Sequence, residues 1–333
     1  MIEVTLIDFF RDLANPHLDF LARAVGISIL AAIVCGVVGC YVVLRGMAFI
    51  GDAVSHAVFP GLAVAFALQG SVLLGGAVAG TVVALLIAGF SQRRNLREDS
   101  VIGIFFAASF ALGMVIISRV EGYTASLTSF LFGTLTGVSR IDLYTAAAVT
   151  VCVVGVIVLL GPQLTAACLD KETARAMGLP VFALDLVLYL CVTAAVVISV
   201  GTIGNILVLA LLITPAATAR LLTNSLGAMM CASSLIGAAA SFAGIYLAWA
   251  IDLPAGATIV LVLTALFLLA WLVSPLLQRR PSRQPRMNST NDAVPSLATP
   301  AASSAASPDS STASISAPVA SETQNQTDKE PSA

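Results

Sequence analysis

GMAFIGDAVSHAVFPGLAVAF, from Gly46 to Phe66, is apolar and long enough to cross a bilayer, yet it holds Asp52 and His56. A charge at the centre of a bilayer costs about 3 kcal/mol or more, so an ionisable residue there is expected to bind or move something. Residues four apart on a helix share one face, with Cβ atoms about 5–6 Å apart. A carboxylate and an imidazole so placed can grip one divalent cation. Three readings fit the pair: a structural Asp–His ion pair or helix–helix hydrogen bond, the proton relay of a secondary transporter, and a cation site. For a cation the pair is only part of a shell, since zinc takes about four ligands and manganese about six. Other helices, or a second copy of the chain across a two-fold axis, would supply the rest. Gly51, Ala53, Ser55 and Ala57 flank the pair and would let helices approach closely for such sharing.

The rest of the chain is a membrane protein of the same character. Of its 333 residues 58% are hydrophobic and 10% charged, with a mean hydropathy of +0.98; soluble domains carry about 25% charged residues. The formal charge of −2 gives no reason to expect nucleic acid as a partner. Apolar runs of transmembrane length, about 20 residues, lie at roughly 20–44, 46–68, 71–91, 101–120, 141–161, 182–200, 203–222, 226–250 and 255–276. The expected fold is therefore all-α, a polytopic transmembrane bundle of about nine spans, within a range of eight to ten. Residues 1–19 read as an N-terminal interfacial segment, broken at Asn15-Pro16, and 20–280 as the transmembrane domain. The start is acidic and lacks the basic n-region of a cleavable signal. Residues 124–138, TASLTSFLFGTLTGV, are too short and hydroxyl-rich to span and read as re-entrant or interfacial. From Pro281 onward Ser, Ala, Pro, Thr, Gln and Asn take over, a composition that does not fold, so 281–333 is expected to be a disordered cytoplasmic tail.

Alternating the spans puts Arg45, Arg93, Arg94, Arg97, Lys171, Arg175, Arg220, Arg279 and Arg280 on one side, and Arg11, Arg23, Arg119 and Arg140 on the other. The excess marks the first side as cytoplasmic, with the N-terminus outside and the C-terminus inside. Counting helical rise from Arg45 then sets Asp52 about 10 Å and His56 about 16 Å deep in a hydrocarbon core of about 30 Å. Asp142, Asp185 and Asp252 fall near span ends, leaving Asp52 as the acidic residue well inside one. The six cysteines, Cys35, Cys40, Cys152, Cys168, Cys191 and Cys231, lack CxxC spacing and read as small buried hydrophobes.

Two further segments carry chemistry. Asp170, Lys171, Glu172, Thr173, Ala174, Arg175, Ala176 and Met177 form a short charged stretch compatible with a helix, stopped by Gly178-Leu179-Pro180. Taken alone it reads as an amphipathic connector. Pro215, in LLITPAATARLL, removes a helical hydrogen bond, with Thr214 and Thr218 at hand for the freed backbone groups. Thr214 and Pro215 are a candidate gate, and a static kink explains them equally well. The chain has two lysines, Lys171 and Lys329, and neither stands in the GxxxxGK[ST] pattern that cradles nucleotide phosphates.

Gly46–Phe66 resembles the second-span signature of the zinc/manganese/iron permease family of bacterial ATP-binding-cassette importers. Thr202–Leu222, TIGNILVLALLITPAATARLL, is similar to that family's later Pro-containing helix, and Leu169–Pro180 to its cytoplasmic coupling segment; the likeness runs over roughly Phe20 to Pro275. The resemblance implies the membrane-spanning subunit of a homodimeric or pseudo-dimeric importer in the bacterial cytoplasmic membrane. It implies that Asp52 and His56 contact the transported metal, and that Asp170, Lys171, Glu172, Ala174, Arg175 and Gly178 couple to the ATPase. The implied partners are a second copy of the chain, separate P-loop ATPase subunits and an extracytoplasmic metal-binding protein. Such a subunit is not an enzyme and holds no permanent cofactor. Its cargo is manganese, zinc or iron. The alternative is a stand-alone proton-coupled divalent metal transporter.

Overall fold

The computed structural model describes residues 6–13, 15, 18–47, 49–92, 98–119 and 137–278, and these are helical with short connections. Among the described residues eleven helices follow one another: α1 Leu6–Leu13, α2 Asp19–Arg45, α3 Ile50–Ala67, α4 Val72–Phe90, α5 Glu98–Ile117, α6 Arg140–Leu169, α7 Lys171–Ala176, α8 Val181–Ile203, α9 Asn205–Leu222, α10 Leu226–Ile251 and α11 Ala255–Gln278. Among the described residues eight are long and apolar enough to cross a membrane, and α3 adds an apolar stretch over Ile50–Ala65. The nine expected spans correspond to these eight helices and α3. Most of the expected re-entrant segment 124–138 and the whole tail 281–333 lie outside the described residues.

The core runs along α2 and α8, which carry the largest fully buried side chains, Tyr41 and Tyr189. Helices α4, α5, α6 and α11 keep one face in the bundle and turn Leu, Val, Ile and Trp271 outward, as expected of walls against lipid. Close crossings are made by small residues. A methyl on Gly39 would run into the Leu212 carbonyl of α9, and one on Gly61 of α3 into the Gly75 carbonyl of α4. This is the small-residue packing that brings membrane helices together without a hydrophobic driving force. Of the cysteines, Cys35, Cys40 and Cys191 are buried as expected, whereas Cys152 and Cys231 are exposed on the bundle surface.

The second apolar run departs from the sequence reading at its start. Gly46, with φ +71°, closes α2 in a left-handed cap whose N–H bonds back to the Val42 and Val43 carbonyls, a conformation glycine adopts without strain. Helix α3 then starts at Ile50. The rise counted from Arg45 therefore does not measure the depth of Asp52, which stands in the first turn of α3. At the other end of the apolar runs, α6 continues to Leu169 rather than ending at 161. Its 30 residues make about 45 Å of helix, more than a hydrocarbon core of about 30 Å requires, and α7 follows directly on its end.

Helix α1 lies along α10. Phe9 is fully buried between Phe242 and Tyr246, with edge-on ring contacts at 5.7 and 5.3 Å. The Trp249 indole N–H donates to Asp12 at 3.2 Å.

Candidate metal centre

Helix α3 presents Asp52 and His56 on one face, as their spacing requires. His56 Nε2 stands 3.4 Å from Asp52 Oδ1, and the side chains are 17% and 30% exposed. Two aromatic rings of α5 hold the imidazole edge-on, Phe106 at 4.9 Å and Phe110 at 5.1 Å between centroids. These are the ninth and thirteenth residues of the 20-residue α5, so His56 lies beside the middle of a span-length helix.

A third polar group meets His56 from α9. Gly204, with φ +85°, breaks the chain between α8 and α9, and Asn205, the first residue of α9, brings Nδ2 to 3.5 Å from His56 Nε2. Asn205 is 4% exposed. Its Oδ1, like His56 Nδ1, is buried without a hydrogen-bond partner among the described residues. Counting only His, Cys, Asp and Glu, no group of three or more gathers among the described residues. Asn205, Phe106 and Phe110 escape the sequence reading because each enters from another helix. A census of amides would have found the first, since Asn205 is the one asparagine between Asn95 and Asn224.

The small residues around the pair have a different use from the one expected. Ala53, Ser55 and Ala57 are buried within this single chain, and Gly51 makes room for the Leu212 side chain of α9. They bring α3 against its own bundle rather than leaving a bare face for another copy.

Below the pair, where α2 ends, four charges form a closed cluster. Arg45 meets Asp185 of α8 at 2.6 Å and Glu98 of α5 at 3.4 Å. Lys171 of α7 bonds Glu98 and lies 3.2 Å from Asp185. Arg45 and Asp185 are almost fully buried, at 4% and 1% side-chain exposure, and the Arg45 guanidinium lies 5.8 Å above the Tyr189 ring. Two positive and two negative groups cancel, which makes burial tolerable. Burial, and the Arg45 charge after it, hold the Lys171 ammonium below its usual range, while Asp185 opposes the shift. Asp185, read from sequence only as a span-end residue, and Glu98 thus tie the ends of α2, α5, α7 and α8 together.

The charged stretch 170–178 folds as the sequence indicates. Asp170 caps α7, accepting from the Glu172 N–H at 2.9 Å and from the Thr173 hydroxyl, and these donors lower its carboxyl below the usual carboxylate range. Ala174 is fully buried, Arg175 donates to Gln92 at 3.3 Å, and Gly178 turns the chain at φ +79°. Glu172 is exposed on the outer side of the helix. Pro215 lies inside a continuous α9, buried, with its ring near Gly237 of α10. The Thr218 hydroxyl donates to the Thr214 carbonyl at 2.7 Å.

Known proteins share this chain over most of its length. It is 41% identical over 267 residues to a manganese transport system membrane protein, MntC, of Halalkalibacterium halodurans, covering 80% of this chain and 91% of that one. It is 34% identical over 258 residues to a probable iron transport system membrane protein of Haemophilus influenzae, covering 77% and 91%. The solved structure of PsaBC from Streptococcus pneumoniae in complex with Fab superposes with a TM-score of 0.73 at 34% identity, covering 83% of this chain and 98% of that one. The model of the ABC 3 transport family matches residues 17–274, from the approach to α2 to the last turns of α11, and the chain belongs to that family of ABC importer permeases.

Proposed function

We propose that this chain is the membrane-spanning subunit of an ATP-driven importer of a divalent transition metal, with manganese as the first cargo to test. The observation that carries the reading is the spacing of Asp52 and His56. Their 3.4 Å separation is long for a charge-assisted hydrogen bond, about 2.7–2.9 Å. It matches two ligands each about 2.1 Å from one cation, whose separation is about 3.0–3.5 Å at right-angled to tetrahedral geometry. A carboxylate oxygen and an imidazole nitrogen suit manganese, iron and zinc alike. The names of the relatives favour manganese, with iron second. The cation would arrive from a binding protein at the outer face. Helix α7, seated in a separate ATPase, would relay closure through Lys171, Glu98 and Asp185. In this reading the end bearing Arg45 and Lys171 is cytoplasmic. Thr214 and Pro215 stand in the helix that also carries Asn205, where a kink would move the site. A stand-alone proton-coupled transporter is the weaker reading, because it gives α7 no task.

The test is uptake of manganese into proteoliposomes holding the assembled complex with ATP inside and the binding protein outside. Asp52→Ala and His56→Ala are expected to abolish uptake while the complex still assembles. Wild-type uptake in either variant removes the site. Uptake driven by a pH gradient without ATP removes the importer reading.

A further inference from the structure

We infer that Asn205 is a third metal ligand, through its carboxamide oxygen, and that it sets the preference of the site for manganese over zinc. The inference rests on the reading of Asp52 and His56 as metal ligands. Two polar atoms approach His56 Nε2: Asp52 Oδ1 lies 3.4 Å and Asn205 Nδ2 3.5 Å from it. Both distances equal the edge of a coordination polyhedron rather than a good hydrogen bond. Oδ1 of Asn205 is buried with no hydrogen-bond partner among the described residues, in a residue 4% exposed. A buried acceptor left without a partner is costly, so a partner for it is expected. Turning the carboxamide by 180° about its last torsion exchanges Oδ1 and Nδ2, which differ little in shape. Oδ1 then faces His56, and a cation held between these side chains would meet one carboxylate oxygen, one amide oxygen and one imidazole nitrogen.

The position of Asn205 is built rather than incidental. Gly204 takes a φ of +85° to end α8, so that the very next residue starts α9 beside His56. Leu207, Val208, Leu211 and Leu212 follow on α9 and are all fully buried, fixing the helix against the bundle. A neutral oxygen ligand adds hard donor character without a second negative charge. Oxygen-rich shells suit manganese, while zinc accepts the remaining imidazole and carboxylate readily.

The experiment titrates the assembled permease–ATPase complex in lipid nanodiscs with manganese, following free manganese by electron paramagnetic resonance, then repeats the titration with zinc as competitor. Asn205→Ala is expected to weaken manganese at least tenfold and zinc by much less, so that the manganese-to-zinc preference falls. Asn205→Asp, which keeps an oxygen in place, is expected to restore manganese binding. A misfolded Asn205→Ala complex, seen by gel filtration, leaves Asn205→Asp against Asn205→Leu to decide the same question. Asn205→Ala with wild-type affinity and selectivity overturns the inference, as does equal loss of both metals without rescue by Asn205→Asp. Asp52→Ala, run in parallel, separates the two claims. If it abolishes binding while Asn205→Ala does not, only the ligand role of Asn205 falls. If it binds as the wild type, the Asp52 reading fails and the inference with it.

Discussion

His56 takes its geometry from rings on another helix. Phe106 and Phe110 meet the imidazole at interplanar angles of 80° and 89°, and such edge-on pairs are worth about 0.5–1.5 kcal/mol each. The rings fix the orientation in which Nε2 faces Asp52 and Asn205, yet they donate nothing to a cation. Phe106→Leu and Phe110→Leu should therefore weaken manganese binding by about two- to tenfold each, in contrast to the complete loss expected of Asp52→Ala. Unaltered affinity in the double variant would mean that the imidazole needs no aromatic clamp. These contacts explain what could be read beforehand. Asp52 and His56 stand out because an apolar run gives two ionisable groups no cover, and their spacing already places them on one face. Asn205, Phe106 and Phe110 are ordinary residues in ordinary runs. Their importance depends on the register of α5 and α9 against α3, which the period of no single helix contains.

At the scale of elements, the charge cluster is the joint between the bundle and α7. Arg45 ends α2, Glu98 starts α5, Asp185 stands in the second turn of α8 and Lys171 starts α7. Removing one member of a buried pair strands the other, at about 3–5 kcal/mol. Arg45→Met should accordingly lower the melting temperature of the detergent-solubilised complex by roughly ten degrees, and Arg45→Met with Asp185→Leu should recover part of the loss. Lys171→Met is different, since Arg45 still neutralises Asp185. It should leave the fold and basal ATP hydrolysis in place while lowering metal uptake per ATP consumed several-fold. An unchanged ratio of uptake to hydrolysis would show that motion passes from α7 by another route. The elements themselves follow from apolar run length, which is why eight spans and the α7 connector match the sequence reading. The misplaced start of α3 has a local cause. Gly46 and the three residues after it are apolar or small, so they extend the hydrophobic run, while the left-handed cap at Gly46 ends the helix.

At the scale of the molecule the question is how a divalent cation is neutralised. Among the described residues Asp52 is the carboxylate paired with His56, and no cluster of three His, Cys, Asp or Glu residues forms. A cation bound by one copy alone would keep a net positive charge at a depth where uncompensated charge is costly. Two copies meeting at the Asp52 flank, which is 30% exposed, would give two carboxylates and exact neutrality. With Asn205 from each they would also give six ligands, the number manganese prefers. The small residues near the pair are used inside the chain, so the copies would meet through side chains and not through close backbone contact. The expected stoichiometry is one tightly bound manganese per two permease chains, measured by elemental analysis of the desalted complex. A complex carrying one wild-type and one Asp52→Ala chain should bind far more weakly than the wild type, not half as much with full affinity. One metal per chain, or half-occupancy at wild-type affinity in the mixed complex, would place a complete site in each copy and end the shared-site reading.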